Sequence, residues 1–228
     1  MSAGGRRAAF FDVDETLTTV VSMLGFLRFD LAARGLPDSA FDEAMARLAE
    51  ARANGRREEA NLIYYRNYAG RPEAELAALG REWFARELAG GSLFHPRALA
   101  AFQGHRRQGH LTVLVSGSFP PCLDPIGRHL GADLVICARP TVTDGVHTGE
   151  LPHPMIGRYK AQALAEAART HGLDLDRSWA YGDHISDLPL LESVGHPVVV
   201  ANADHALVEQ ARSRSWTCWA DTPAALPA

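Results

Sequence analysis

One stretch determines the predicted fold: Ala8-Ala9-Phe10-Phe11-Asp12-Val13-Asp14-Glu15-Thr16. Four apolar residues lead without interruption into two aspartates that are two positions apart. An unbroken apolar run of this kind is typical of a strand with both faces buried in a parallel sheet. Side chains at positions i and i+2 of an extended chain point the same way, so Asp12 and Asp14 can face one ligand. We therefore predict a buried strand that ends in a polar site.

Similar apolar runs recur along the chain and alternate with helical patterns. The further runs cover residues 111–115, 134–137, 179–181 and 198–201. The helical patterns near them cover residues 96–107, 119–130, 157–171 and 203–214. Strands that alternate with helices indicate βαβ units with right-handed crossovers. The predicted fold class is α/β, with a Rossmann-like parallel sheet flanked by helices.

Residues 19–92 break this alternation. They show no convincing strand and four helical patterns, over residues 20–34, 41–54, 57–68 and 72–88. We predict an all-helical insert after the first strand, so that residues 1–18 and 93–228 form the core and residues 19–92 form a second domain. Within residues 140–151, Asp144-Gly145 lies between short extended runs, which favours a tight hairpin at the surface.

Composition excludes several classes of partner. A net charge of −4 and a pI near 6.2 provide no basic field for nucleic acid. No stretch approaches the roughly 20 apolar residues of a membrane span. Arg6-Arg7 precede only four apolar residues, fewer than the roughly 7–15 of an export signal. We expect a cytoplasmic protein with neither nucleic acid nor membrane as a partner; the sequence does not indicate its oligomeric state.

The three cysteines are expected to be buried packing residues in a reducing compartment. Cys122, Cys137 and Cys218 lie far apart, form no Cys-x-x-Cys pair and are odd in number. Such a set is a poor disulfide framework, and a free cysteine usually packs as a small apolar side chain.

Polar clusters follow three of the predicted strands. Besides the aspartates of the first strand, Ser116-Gly117-Ser118 follows the second strand and Gly182-Asp183-His184-Ile185-Ser186-Asp187 follows the strand at residues 179–181. Ligands bind outside the carboxyl ends of the strands in open parallel sheets, so the clusters should converge. Each cluster alone could be a turn or a helix cap. Their order and their shared position at strand ends favour a catalytic site.

Four carboxylates in one place require a compensating charge. Asp12, Asp14, Asp183 and Asp187 would repel one another and raise each other's pKa values. Carboxylate and carbonyl oxygens with water are the ligands that Mg²⁺ prefers, so we predict a magnesium site. His184 is expected to face the cleft rather than to bind the metal.

The chemistry that suits this set is phosphoryl transfer. A carboxylate can attack phosphorus and form an aspartyl phosphate, provided that the phosphoryl oxygens are neutralised. The Ser116 hydroxyl and nearby N–H groups can donate to those oxygens, and Asp14 can exchange protons with the leaving group and with water. The chain has 22 arginines and one lysine, Lys160. Either one lysine remained by chance in an arginine-rich chain, or this position needs a compact ammonium.

These residues resemble the haloacid dehalogenase-like superfamily of phosphatases. Its four motifs are matched in order by Asp12-Val13-Asp14-Glu15-Thr16, Ser116, Lys160, and Gly182-Asp183 with Asp187. The resemblance covers about residues 8–18 and 93–215, and the insert resembles a C1-type cap. Residues 181–191 are similar to subgroup IB, which includes phosphoserine phosphatase.

The resemblance implies a role for each matched residue. Asp12 would be the nucleophile and a metal ligand, and Asp14 the acid and base, which also lends its backbone carbonyl to the metal. Asp183 would bind the metal with support from Asp187. The phosphoryl group would be held by Ser116, Gly117 and Lys160, and Thr16 would hold the geometry of the loop and belong to the same phosphate-binding set.

We therefore expect Mg²⁺-dependent hydrolysis of a small phosphorylated metabolite through an aspartyl phosphate. The alternatives are a phosphotransferase or mutase and, in a different class, a non-catalytic phosphometabolite sensor. The resembling phosphoserine phosphatases have a glutamate at the position of Val21 and an asparagine at that of Ser186, which puts phosphoserine in doubt. Arg28, Arg56 and Arg66 could bind an anionic substrate group, or could be ordinary solvated charges.

Overall fold

The computed structural model describes residues 5–53 and 57–219 of the 228-residue chain. Within these residues there are eight strands: β1 (Ala8–Asp12), β2 (Leu111–Ser116), β3 (Leu134–Cys137), β4 (Val142–Thr143), β5 (Val146–His147), β6 (Trp179–Gly182), β7 (His196–Val199) and β8 (Thr217–Cys218). Six of them form one sheet in the order β3-β2-β1-β6-β7-β8, with parallel pairing throughout. The remaining two, β4 and β5, pair as an antiparallel hairpin. The predicted α/β fold class is confirmed.

The helices of the described residues flank this sheet or lie in the insert. They are α1 (Ser22–Ala33), α2 (Asp38–Ala53), α3 (Arg57–Tyr65), α4 (Glu73–Ala89), α5 (Pro96–Arg107), α6 (Pro120–Leu130), α7 (Arg158–His171), α8 (Leu188–Leu191) and α9 (His205–Ser213). Sequence patterns predicted all of these except α8. They also missed β8.

The central strands are buried on both faces, as their unbroken apolar runs predict. Every residue of β1 and β2 is buried. Along β1 the side chains alternate between two core clusters, with Ala9 and Phe11 in one and Ala8 and Phe10 in the other. The strand therefore leads directly from the core of the molecule to the sheet edge where Asp12 lies.

The chain leaves and re-enters the core at adjacent points. The Thr19 N–H donates to the Leu93 carbonyl at 2.8 Å, and the His95 N–H donates to the Leu17 carbonyl at 3.0 Å. Between these points, the described residues contain α1 to α4 and contribute no strand to the six-stranded sheet. The division into a core and a cap domain stays a prediction, and we call residues 19–92 the insert.

Helix α4 of the insert packs closely on α6. A Cβ atom added to Gly80 would lie 1.9 Å from the carbonyl oxygen of Pro121, so only glycine fits there. The side chains of Leu76 and Trp83 on the same helix are fully buried. This part of the insert is therefore built into the same apolar core as the sheet.

The predicted hairpin is present and has a second contact that the sequence did not reveal. The His147 N–H donates to the Arg71 carbonyl at 2.8 Å, and the Gly70 N–H donates to the His147 carbonyl at 2.8 Å. The hairpin thus binds the segment that joins α3 to α4.

Two further predictions from sequence concern the environment of the cysteines and the presence of membrane-spanning helices. All three cysteines are buried, as predicted. Among the described residues, no helix has the length and apolar character needed to cross a membrane.

Candidate active site

A cavity of about 180 Å³ lies at the carboxyl ends of β1, β2 and β6. Residues outside the insert that line it are Asp12, Asp14, Glu15, Gly117, Ile156, Lys160, Asp183, His184, Ser186 and Asp187. The insert contributes Val21, Met23, Leu24, Leu48, Ala60, Asn61 and Tyr64. The three polar clusters that the sequence placed at strand ends thus meet at one cavity.

The loop after β1 brings Asp12 and Asp14 to this cavity. The N–H groups of Leu17 and Thr18 both donate to the carbonyl of Val13, at 2.9 and 2.8 Å, so the chain turns back on itself. The turn requires a left-handed backbone at Glu15, with φ of 64°. Hydrogen bonds within the loop therefore fix the direction in which both carboxylates project.

Lys160 lies between two of these carboxylates. Its ammonium donates to Oδ1 of Asp12 and, at 2.7 Å, to Oδ1 of Asp187. Burial opposes the charged form of the ammonium, but the two carboxylates outweigh this effect and hold the pKa of Lys160 above its ordinary value. The ammonium form of the buried side chain is therefore favoured by its two partners.

The negative charges of these carboxylates repel one another and raise their pKa values. Burial raises the pKa of Asp12 well above its ordinary value; Lys160 opposes this effect, while Asp187 and Asp183 add to it. Burial, followed by the Asp187 charge, raises the pKa of Asp183 to about 6. Among the described residues that line the cavity, one ammonium faces four aspartates and Glu15, so a further cation would stabilise their ionised forms.

The arrangement of the oxygens fits such a cation. One carboxylate oxygen from each of Asp12, Asp183 and Asp187 lies within 4.8 Å of the others. An all-oxygen donor set suits Mg²⁺ better than a softer metal. The Asp14 carboxylate is not part of this group. The metal contact expected from the backbone carbonyl of Asp14 stays a prediction.

Asp14 is held apart from the other carboxylates by partners of its own. Its Oδ1 accepts the Ser22 N–H at 2.8 Å, and its Oδ2 lies 3.5 Å from the Ser116 hydroxyl. Burial raises the pKa of Asp14, although the Ser22 hydrogen bonds act in the opposite direction. A carboxyl group with a raised pKa retains its proton more readily, which suits a general acid.

The turn after β2 is anchored from two sides. The Ser118 N–H donates to the Ser116 hydroxyl oxygen at 2.9 Å. The carbonyl of Gly117 accepts the Asn61 side-chain amide at 3.1 Å and the Tyr65 hydroxyl at 2.7 Å. The predicted phosphate-binding turn is therefore in contact with helix α3 of the insert.

Two other predicted residues support the loops around the site. The Thr16 hydroxyl donates to Oδ1 of Asp183 at 2.9 Å, which joins the first loop to the last, while its contact with phosphate stays a prediction. The Nδ1 atom of His184 accepts the Ser186 N–H at 3.0 Å and caps the turn Ile185–Asp187. His184 lines the cavity but is not in the carboxylate group.

The arginines proposed for an anionic substrate group lie elsewhere or outside the described residues. The Arg28 guanidinium stacks 4.2 Å from the centre of the Phe41 ring. Arg66 is exposed, and neither arginine is among the described residues that line the cavity. Arg56 lies outside the described residues.

Sequence patterns missed five residues that support the site. Ser22, Asn61 and Tyr65 lie in helical stretches with no motif to distinguish them. Asn202 and Asp204 could have been found, because they follow β7 at the carboxyl edge of the sheet. Asn202 donates to the Glu15 carbonyl at 2.6 Å, and Asp204 accepts the Ile185 N–H at 2.5 Å.

Comparison with known protein families shows to which family the chain belongs. Residues 9–192 match the haloacid dehalogenase-like hydrolase family, which is most of the chain. The chain belongs to this family. The predicted family membership is thus confirmed, and so is the expected enzyme class, a phosphoric monoester hydrolase.

Similar proteins cover nearly the whole chain. A Streptomyces azureus protein named for inhibition of morphological differentiation is 34% identical, over 92% of this chain and 77% of its own length. The phosphoserine phosphatase SerB1 of Mycobacterium tuberculosis is also 34% identical, over 92% of this chain and 69% of its own. A crystal structure of a Bordetella pertussis Tohama I protein of unknown function has a TM-score of 0.82 and 29% identity, over 94% of this chain and 98% of its own.

Proposed function

We propose that this protein hydrolyses a small phosphomonoester with Mg²⁺ as cofactor and Asp12 as the nucleophile. The observation that carries the proposal is the contact of the Lys160 ammonium with Asp12 and Asp187, beside the separately held Asp14. This arrangement provides a fixed carboxylate, a fixed cation and an independent proton donor around one cavity.

The metal would be held by Asp12, Asp183 and Asp187. When bound, Mg²⁺ neutralises negative charge on the phosphoryl group and on these carboxylates. The Asp183 oxygen nearest Thr16 is already oriented by the hydroxyl of that residue. Orientation of a ligand by such a neighbour is a common feature of protein metal sites.

In the first step, a carboxylate oxygen of Asp12 attacks phosphorus and the bond to the leaving oxygen breaks. Lys160 fixes the orientation of Asp12 and places positive charge beside the attacked group. Asp14, in its protonated form, gives a proton to the leaving oxygen, so the leaving group departs as a neutral alcohol. The phosphoryl group is then covalently attached to Asp12.

In the second step, water attacks the same phosphorus atom. Asp14 is now ionised and takes a proton from the water, and the bond between phosphorus and Asp12 breaks. Inorganic phosphate and the original states of both aspartates result. The N–H of Ser22 stabilises the ionised form of Asp14 during this interval.

The insert would exclude bulk water from the reacting groups. Its contribution to the cavity wall is largely apolar, with Val21, Met23, Leu24, Leu48 and Ala60. Exclusion of water strengthens the interactions of the charged groups and protects a reactive intermediate. We propose that residues 19–92 act as a cap in this sense.

The substrate is proposed to be a small phosphorylated metabolite other than phosphoserine. Val21 and Ser186 both line the cavity, so the two departures from the phosphoserine phosphatase pattern lie at the proposed substrate site. A relative that is named phosphoserine phosphatase supports the class of reaction and makes phosphoserine the alternative to test. A cytoplasmic location remains part of the proposal.

The deciding experiment measures phosphate release from p-nitrophenyl phosphate and from a panel of phosphorylated metabolites, with Mg²⁺ and with EDTA. We expect turnover with Mg²⁺ that EDTA removes. Folded wild-type protein that binds these compounds but releases no phosphate would instead indicate a sensor. Transfer to an added alcohol in preference to water would indicate a phosphotransferase.

A further inference from the structure

The peptide that joins Gly117 to Ser118 is held at both of its polar atoms. Its carbonyl accepts the Asn61 amide at 3.1 Å and the Tyr65 hydroxyl at 2.7 Å. Its N–H donates to the Ser116 hydroxyl oxygen at 2.9 Å. Because a trans peptide is planar, with its C=O and N–H pointing in opposite directions, fixing the carbonyl also fixes the N–H.

The two donors to this carbonyl both come from helix α3 of the insert. Asn61 and Tyr65 are one helical turn apart, so they lie on the same face of α3. Their exposed fractions are 4% and 0%, so both donors are held within the protein, while the half-buried Gly117 that accepts them faces the cavity. The Tyr65 ring lies 5.3 Å from that of Phe119, the residue that precedes α6. The Tyr65 donor is therefore held in place by ring packing.

The hydroxyl of Ser116 is the next group in this chain of contacts. It accepts the Ser118 N–H and lies 3.5 Å from Oδ2 of Asp14. The Ser118 N–H occupies one of the two lone pairs of the hydroxyl oxygen, so the hydroxyl hydrogen rotates away from that N–H, and both the phosphoryl oxygens of a substrate and Asp14 are acceptors for it. The orientation of the 117–118 peptide thus restricts the directions in which Ser116 can donate.

We propose that Asn61 and Tyr65 are positioning residues that act through the Gly117–Ser118 peptide to orient the hydroxyl of Ser116. This inference rests on the proposed function. It means that the phosphate-binding turn is complete only while α3 occupies its observed place over the site, which couples the position of the insert to the assembly of the catalytic groups. Such a positioning effect changes kcat when the hydrogen bond from the Ser116 hydroxyl to the phosphoryl group is stronger in the transition state than in the bound substrate.

The test is a double-mutant cycle between Tyr65→Phe and Ser116→Ala, with p-nitrophenyl phosphate as substrate. Tyr65→Phe removes one hydroxyl and keeps the ring that packs against Phe119. We expect kcat to fall about fivefold to tenfold, with a smaller change in KM, as for the loss of one buried hydrogen bond. In the Ser116→Ala background, Tyr65→Phe should have no further effect on kcat, because the group on which it acts is gone.

Tyr68→Phe is the matched control. The Tyr68 hydroxyl bonds to the Tyr64 hydroxyl at 2.7 Å, and its ring lies 5.0 Å from Phe119. The Tyr68→Phe substitution removes an equally buried hydroxyl from the same aromatic cluster without changing the hydrogen bonds to Gly117. We therefore expect kcat to stay within about twofold of wild type.

Two results would overturn the inference. One is a Tyr65→Phe enzyme that behaves like Tyr68→Phe; the other is an equal loss of kcat from Tyr65→Phe in the presence and absence of the Ser116 hydroxyl. Failure of the proposed function gives a different pattern, since wild-type protein itself would then show no Mg²⁺-dependent turnover that Asp12→Asn removes. Thermal unfolding of each variant confirms that all are folded.

Discussion

The ammonium of Lys160 lies 2.7 Å from Oδ1 of Asp187, and the same nitrogen also donates to Asp12. Asp12 lies 148 positions and Asp187 lies 27 positions from Lys160 along the chain. One buried cation thus links the first and last motifs of the site. Its side chain is only 6% exposed, so there is little room for a larger group.

The first prediction is that Lys160→Arg lowers kcat by at least about 10²-fold. A guanidinium keeps the charge but is wider and planar, so it cannot reach both carboxylates from the same point. Steady-state kinetics on p-nitrophenyl phosphate measures the loss. The control is the reverse exchange, Arg169→Lys, on the exposed side of the same helix, where the side chain is 70% exposed. Wild-type kcat in Lys160→Arg would show that a compact ammonium is not required.

The second prediction concerns the metal without reference to turnover. Addition of Mg²⁺ to EDTA-treated protein should raise the Tm by about 5 to 10 °C at a hundredfold excess over Kd, because the ion binds the folded state and relieves repulsion among the aspartates. Differential scanning calorimetry measures the shift.

Asp183→Asn should remove most of that Mg²⁺-induced shift, since it eliminates one of the three grouped carboxylates. Glu166→Gln, which removes a carboxylate that is 64% exposed on α7, should leave the shift unchanged. An undiminished shift in Asp183→Asn would mean that the ion binds somewhere else.

Much of the core of this site could be predicted from sequence because its residues follow strands. Asp12 and Ser116 come directly after buried apolar runs, Asp183 follows one after Gly182, and parallel pairing brings such positions to one edge. Lys160 could be placed there only with the help of its rarity and its position at a helix start.

The supporting contacts could not be predicted, for physical reasons. Asn61 and Tyr65 reach Gly117 across 56 and 52 residues of chain, and that approach depends on how α3 lies against the turn after β2. Nothing local in a helical pattern encodes such a tertiary contact. Likewise, β8 has two residues and α8 has four, too few to show a period.

The third prediction is that phosphoserine is a poor substrate, at least about 10²-fold below the best metabolite in kcat/KM. Its ammonium would be desolvated beside the apolar Val21, Met23 and Leu24, and roughly 3 kcal/mol of lost pairing corresponds to that ratio. Parallel kinetics on phosphoserine and on sugar, polyol and nucleoside phosphates provides the ranking.

Val21→Glu should improve the relative rate on phosphoserine, because it supplies a carboxylate for the ammonium. Val20→Glu introduces the same charge one position earlier, outside the described lining of the cavity, and should not improve it. Phosphoserine at the head of the wild-type ranking would refute this interpretation of Val21.

The fourth prediction concerns stability in acid. His105 is buried with its ring nitrogens 2.8 Å from the Tyr181 hydroxyl and 2.8 Å from Nδ1 of His110. Burial, followed by the charge of His110, lowers the pKa of His105 from 6.5 to about 4. Between these two values the unfolded chain binds a proton that the folded protein does not bind, so stability falls as pH falls. The loss can reach roughly 3 kcal/mol at pH 4.

Urea denaturation at pH values from 7.5 down to 4 measures this effect. His105→Gln should be less stable than wild type at pH 7.5 but should lose less stability on acidification, since the proton-binding group is absent. Parallel curves for the two proteins across this range would show that His105 does not titrate as expected.

The central claim is that Asp12 attacks phosphorus, and kcat of Asp12→Asn on p-nitrophenyl phosphate with saturating Mg²⁺ tests it most directly. The asparagine oxygen can still accept the Lys160 hydrogen bond, so thermal unfolding should show an intact fold, but the amide is not a competent nucleophile. The account predicts a loss of at least about 10³-fold, as is usual when one member of a catalytic unit is removed. Residual activity within about tenfold of wild type would contradict it.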